Sequence, residues 1–309
     1  MNQNFDVITL TWGDVCENGP GMQKIGDLDK QGYSVEELEE MKRKFEEKNV
    51  VCEMIDLNEF IEEDTEEAKV LVIRNGIDIL MNKNSVDDFY NEQCCLDVDK
   101  KVFMRGSVKN KLARYNLCFG YESQEPDYEK KMGRVIKFDD VECLNEIRQN
   151  MVDFFGNESD KLFCEGNYYY DLKKCGIGFH GDGERKKVIG MRLGKSMNLN
   201  FHWFKKFYGV GKVVEILLNS GDIYVMSEKS VGFDWKKSSI YTLRHAGGLK
   251  TSKYLEVKKE ENVKKEENVK KEENFDKEKK IVRLLMSQMK SKDIKKLFLK
   301  ELFEEVKNE

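Results

Sequence analysis

An α+β fold with a jelly roll (a double-stranded β-helix) at its centre is the architecture this sequence predicts. Three observations predict it. Between residues 100 and 254, short β-rich runs follow one another: 101–106, 114–120, 133–138, 176–180, 187–194, 199–204, 213–218, 221–227 and 239–246. A single helical stretch, VECLNEIRQNMVDFF (141–155), interrupts them. The N-terminal third mixes helical and strand patterns instead. Many short strands beside one helix point to a sheet-on-sheet or barrel domain, because a βαβ sheet needs a helix between successive strands.

Taken in order, residues 5–13 (FDVITLTWG) form the first strand candidate. A helix then starts at SVEELEEMKRKFEEKN, where Ser34 is the cap and Glu37 stands three positions on, the pattern of a capping box. AKVLVIRNG (68–76) reads as a buried strand ended by an Asn-Gly turn. These elements imply an N-terminal α/β lobe over 1–99, packed on the domain at 100–254. Beyond it, VKKEEN repeats three times from Val257. Six residues match neither 3.6 nor 7, so no constant helical face results and 255–275 reads as a charged linker. Ile281, Leu284, Leu285, Met289, Leu297, Leu302 and Val306 then recur at helical spacing. Residues 276–309 are therefore expected to form amphipathic helices, docked on the protein's own core or on a protein partner.

The chain has 309 residues, a net charge of −5 and a mean hydropathy of −0.66. The acidic excess lies before the tail, so no global positive field draws in nucleic acid, and such a partner would need a local patch. No run of 18 apolar residues and no basic, cleavable leader is present, so no membrane association is expected and the setting is intracellular, cytoplasmic or nuclear. Eight cysteines without a C-x-x-C pair fit a reducing compartment and argue against structural zinc.

The chemistry centres on three histidines: His180, His202 and His245. His180 precedes Asp182 by two residues in GIGFHGD. At a strand end, residues i and i+2 point the same way, so imidazole and carboxylate would converge. A second imidazole would complete the two-histidine, one-carboxylate triad of non-haem iron(II), which leaves positions open for a bidentate cosubstrate and dioxygen. A structural His–Asp hydrogen bond is the alternative reading of the same residues.

The order of motifs carries more. KLARYNLCFG (111–120), the helix ending in IRQNM, NYYY (167–170), GIGFHGDGE (176–184), VIGMRLG and NSGDIYVMS succeed one another. This order resembles the AlkB-like 2-oxoglutarate/Fe(II) dioxygenases over roughly half the chain, from about 101 to 254. TWGDVCENGPGMQKIG, near the N-terminus, resembles AlkB-related proteins of large DNA viruses. The resemblance implies Fe(II), 2-oxoglutarate as cosubstrate and O2, with oxidative demethylation of alkylated nucleobases in DNA or RNA as the reaction. A protein or small-molecule substrate, or a degenerate binding module, is the alternative. It makes His180 and Asp182 iron ligands, and places Asn167 and Tyr169 on the 2-oxoglutarate carboxylates. Glu184, Arg114, Tyr115 and Arg185 fall to the substrate.

Two departures stand out. The stretch that should hold the distal histidine reads EKSVGFDWKKSS and has none, so His245 is the expected third ligand, reached through an insertion at 228–239. The arginine expected about ten residues later is replaced by Lys250 or Lys253. A rival alignment makes Arg244 the cosubstrate clamp and leaves the third ligand missing. Neighbouring strand residues face opposite sides, so Arg244 and His245 cannot both face the site if this segment is a strand. His202 follows His180 too closely and reads as a pocket-wall or core residue. Around the site, Lys100, Lys101, Arg105, Lys109, Lys111, Arg114 and Arg185–Lys187 lie among aromatics, the composition that holds a single nucleic-acid strand.

Overall fold

A computed structural model describes residues 3–248, together with Leu284, which is helical and exposed. In chain order the elements are β1 (Val7–Gly13), β2 (Val15–Glu17), β3 (Lys24–Gly26), α1 (Val35–Glu46), β4 (Cys52–Asp56), β5 (Lys69–Ile73), α2 (Gly76–Leu80) and α3 (Val86–Cys95). Then come β6 (Lys101–Met104), β7 (Ser107–Asn110), β8 (Tyr115–Gly120), β9 (Val135–Lys137), α4 (Glu142–Phe155), β10 (Phe163–Tyr169), β11 (Gly176–His180) and β12 (Val188–Gly194). The last are β13 (Met197–Lys205), β14 (Tyr208–Leu218), β15 (Ile223–Met226), α5 (Glu228–Val231) and β16 (Thr242–Gly248).

Every run expected to be a strand contains one, the helix expected at 141–155 is α4, and the short α5 is a second helix in the central stretch. The Ser34 capping box also forms: the Ser34 hydroxyl accepts from the Glu37 N–H, and the Glu37 carboxylate accepts from the Ser34 N–H at 2.7 Å. The protein is mixed α+β and mostly sheet. Eight strands make a large sheet in the order β4-β5-β15-β12-β1-β10-β8-β9, and four make a smaller one, β11-β16-β13-β14.

The two faces of the large sheet do different work, because successive side chains alternate. On one face Ile8, Leu10 and Trp12 of β1 join Leu117, Phe119, Tyr168, Ile189, Met191 and Ile223. They pack against Leu38, Met41 and Phe45 of α1 and Leu144, Ile147 and Met151 of α4. Truncating a ring such as Phe45 there should cost about 3–5 kcal/mol. The other face turns toward the small sheet. Val70, Val72, Val188, Tyr224 and Met226 meet Leu199, Phe201, Trp203, Val214, Ile216 and Leu243 in a second core. Beside that core the same face becomes polar, with Thr9, Thr11, Glu165, Asn167, Tyr169 and Arg192 around a cavity of about 720 Å³.

The expected boundary at 99/100 needs correcting. β1 sits between β12 and β10, bonded to both, and β4 and β5 extend the same sheet beyond β15. The described residues 3–248 fall in one compact unit, so no separate lobe ends at 99. The physical sign is the burial of all seven residues of β1, which marks a central strand. The linker expected at 255–275 and the helices at 276–309 lie outside the described residues, Leu284 aside. Among the described residues no helix is long and apolar enough to cross a membrane.

Candidate metal centre

The site begins at the join of β11 and β16. These strands run antiparallel, and after an irregularity following Ile177 they place His180 directly opposite His245. The two rings lie 4.5 Å apart, centroid to centroid. The chain then turns sharply. Gly181 presses on the backbone of Gly232, where a Cβ would stand only 2.1 Å from the Gly232 carbonyl oxygen, so no other residue fits. The Asp182 N–H donates to the Val231 carbonyl at 3.1 Å, which fixes the turn to α5.

This turn delivers the Asp182 carboxylate between the rings. Its Oδ1 lies 3.6 Å from His180 Nε2 and 3.4 Å from His245 Nε2. One donor atom from each of the three residues lies within 4.8 Å of the others. An ion about 2.1 Å from each of three mutually adjacent donors holds them about 3 Å apart, so a small contraction closes the set on a metal.

The protonation states suit ligation. His180 Nδ1 lies 2.9 Å from the Gly178 carbonyl, which can only accept, so Nδ1 carries the hydrogen and Nε2 keeps its lone pair toward Asp182. Burial, then the neighbouring His245, hold the His180 pKa down at about 3, so the ring is neutral. Burial alone would raise the Asp182 pKa. Arg185 and the two imidazoles outweigh it and hold the carboxyl well below the usual range.

Arg185 is the centre of an internal charge network. It is 3% exposed. Its Nη2 donates to Glu165 Oε2 at 2.5 Å and to Glu184 Oε1 at 3.0 Å, and its Nε lies 3.5 Å from Asp182 Oδ2. Three carboxylates surround one guanidinium. Burial, then Asp182, push Glu184 up to about 7. Arg185 thus lies against Asp182 through this network, and it also lines the cavity.

The other expected residues divide. Asn167 and Tyr169, on the polar face of β10, line the cavity, as do Arg114, Glu184 and Arg185. Asn167 Oδ1 accepts from Arg114 Nε and from Asn116 Nδ2. Tyr115 does not join them: it lies on the opposite face of β8, stacked on Tyr170 at 4.7 Å. Arg244 is also corrected. β16 is a strand, so Arg244 turns away from the cavity that His245 faces. Its guanidinium sits 4.1 Å from the Phe204 ring and 5.2 Å from Trp235, and Nη2 donates to the Trp235 carbonyl. His202 lies on that outer side too, edge-on to Phe179 and Phe204. Lys250 and Lys253 fall outside the described residues. Lys111 is engaged with Asn18, and Lys187 with Asp29 at 2.7 Å. Lys100, Lys101, Arg105 and Lys109 are exposed.

Sequence reasoning missed Thr9, Arg192 and Tyr224, which line the cavity from three strands of the large sheet. The signal for Arg192 was present: a lone arginine inside the apolar run VIGMRLG. The Tyr224 ring lies across Gly190, where a Cβ would come within 1.9 Å of it, so the glycine is what lets the phenol reach the cavity.

Among curated proteins, the chain is 45% identical over 252 residues to "Uncharacterized protein R156" of Acanthamoeba polyphaga mimivirus, covering 80% of this chain and 98% of that protein. No family model matches the chain.

Proposed function

The chain belongs to one family with that mimivirus protein, and we propose that it is an Fe(II)- and 2-oxoglutarate-dependent dioxygenase on a jelly-roll frame. The observation that carries this reading is the convergence of His180, Asp182 and His245 on one point in the cavity wall. Two imidazoles and one carboxylate are the donor set of non-haem iron, and they leave room for further ligands. Bound iron(II) would supply activation of dioxygen, with an oxoacid giving up two electrons and carbon dioxide, so that an inert C–H bond is hydroxylated.

The chain's own residues do the positioning. The Gly178 carbonyl fixes the His180 tautomer. Arg185 keeps Asp182 ionised and oriented, as outer groups around a metal do. The large and small sheets both contribute lining to the cavity and so hold these groups around it.

For the substrate we favour an alkylated nucleobase, turned out of its stack to reach the cavity. The exposed cations Lys100, Lys101, Arg105 and Lys109 of the β6–β7 hairpin support that choice as a strand-holding surface. The test is succinate release from 2-oxoglutarate under Fe(II), followed by formaldehyde release from a methylated oligonucleotide. Absence of Fe(II)-dependent succinate with every substrate tried overturns the dioxygenase reading. Succinate without formaldehyde removes only the nucleobase.

A further inference from the structure

Arg192 stands on β12, on the polar face of the large sheet, and lines the same cavity as the His–Asp–His group. It is 2% exposed, and its Nε and Nη1 have no hydrogen-bond partner among the described residues. No ion pair involves it there either. Asp222, whose backbone carbonyl accepts from the Arg192 N–H, has its carboxylate committed elsewhere. Its carboxylate accepts from Arg74 Nη1 at 2.8 Å and from the N–H groups of Asn75 and Asn219. What faces Arg192 from neighbouring strands is neutral and able to donate. Thr9 is its register partner on β1, with an unpartnered buried hydroxyl, and Tyr169 and Tyr224 line the same cavity.

A buried charge without a counter-charge is costly, and natural proteins pair nearly all of them. A guanidinium left with two bare N–H groups in a cavity, ringed by hydroxyls, is complementary to a planar two-oxygen anion. We propose that Arg192, with Thr9, Tyr169 and Tyr224, anchors one carboxylate of a small oxoacid whose other end reaches the His–Asp–His group. The anchor comes from β12, in the middle of the large sheet. It replaces the arginine or lysine that the sequence resemblance sought on or after the last strand, where Arg244 faces away. Burial also lowers the Arg192 pKa, the direction expected of a cation awaiting its partner. The proposal rests on the dioxygenase reading only for the identity of the oxoacid's metal-facing end.

The test uses the full chain, with Mn(II) as a redox-silent stand-in for iron, and calorimetric titration of 2-oxoglutarate, glutarate and inorganic phosphate. The expected result is 2-oxoglutarate binding to the wild type, weakened about 30-fold in Arg192→Met and partly restored in Arg192→Lys, with Mn(II) affinity unchanged. Glutarate should raise the melting temperature of the wild type but not of Arg192→Met. Two results overturn the proposal: 2-oxoglutarate affinity in Arg192→Met within threefold of wild type, or a ligand-free Arg192→Met that melts well below wild type, which would mean the guanidinium is already satisfied. Phosphate binding as tightly as glutarate overturns the carboxylate assignment. Failure of the metal reading shows separately, as absence of Mn(II) binding to the wild type.

Discussion

Two buried arginines line one cavity, and they are treated in opposite ways. Arg185 touches three carboxylates, while Arg192 touches none. The burial is alike, so the difference is one of purpose. A guanidinium ion-paired to three carboxylates of its own protein is a structural fastener. It orients Asp182 and through Asp182 the metal donors. A guanidinium left open is a socket, and the stability it forgoes in the empty protein is available to whatever fills it. The contrast also shows why exposure alone is a poor guide to function: these side chains differ in company, not in depth.

That contrast can be broken at four points. Glu165→Ala removes the 2.5 Å partner of Arg185 and strands a buried cation, so urea unfolding should show a loss of about 3–5 kcal/mol. A loss below about 1 kcal/mol would mean Arg185 is no fastener. Asp182→Ala should weaken Mn(II) binding by more than the roughly 10–100-fold seen for outer-shell groups, read by metal titration. An unchanged affinity would remove Asp182 from the donor set. Arg192→Met should stabilise the ligand-free protein by about 1 kcal/mol, because it deletes an unpaired charge and keeps the volume. Equal destabilisation by Arg192→Met and Arg185→Met would erase the distinction.

The smallest effect lies at the cavity rim. Lys111 donates to the Asn18 side chain and carbonyl, beside the Gly19–Gly21 turn that borders the cavity. Burial lowers its pKa from 10.5 to about 8. Between those values the unfolded chain binds more protons than the folded one, so stability rises with pH there. The gain is complete above 10.5 and is lost as pH falls through about 8. Lys111→Met should flatten this slope in unfolding curves taken across the window, and an unaltered slope would assign it to another group.

Much of this was legible in the amino-acid sequence, for physical reasons that differ by residue. The strand runs were readable because alternation and turn residues are local properties. His180 and Asp182 were readable because a two-residue spacing fixes their common side. His245 followed from scarcity: with three histidines in the chain, few could serve. The choice between His245 and Arg244 needed the register of β16, which local pattern does not contain. Tyr115 went to the wrong face for the same reason, since a one-residue shift exchanges the two faces of a strand. Arg192 stood out in the sequence only as a lone arginine in an apolar run; its role lies in what is missing around it, and an absent partner leaves no trace in a one-dimensional string. The central place of β1 was hidden because its pairing partners lie far along the chain.

That last feature bears on how the protein is made. Val7 pairs with Gly194 on one side and with Tyr169 on the other, so this strand, made before either neighbour, must wait for partners synthesised on the order of ten seconds later. Until they arrive, an apolar ribbon with both edges unpaired is open to any other chain, and its threonines cannot yet floor the cavity. Expression conditions that slow aggregation during synthesis should therefore govern the yield of folded protein more than any change near the histidines.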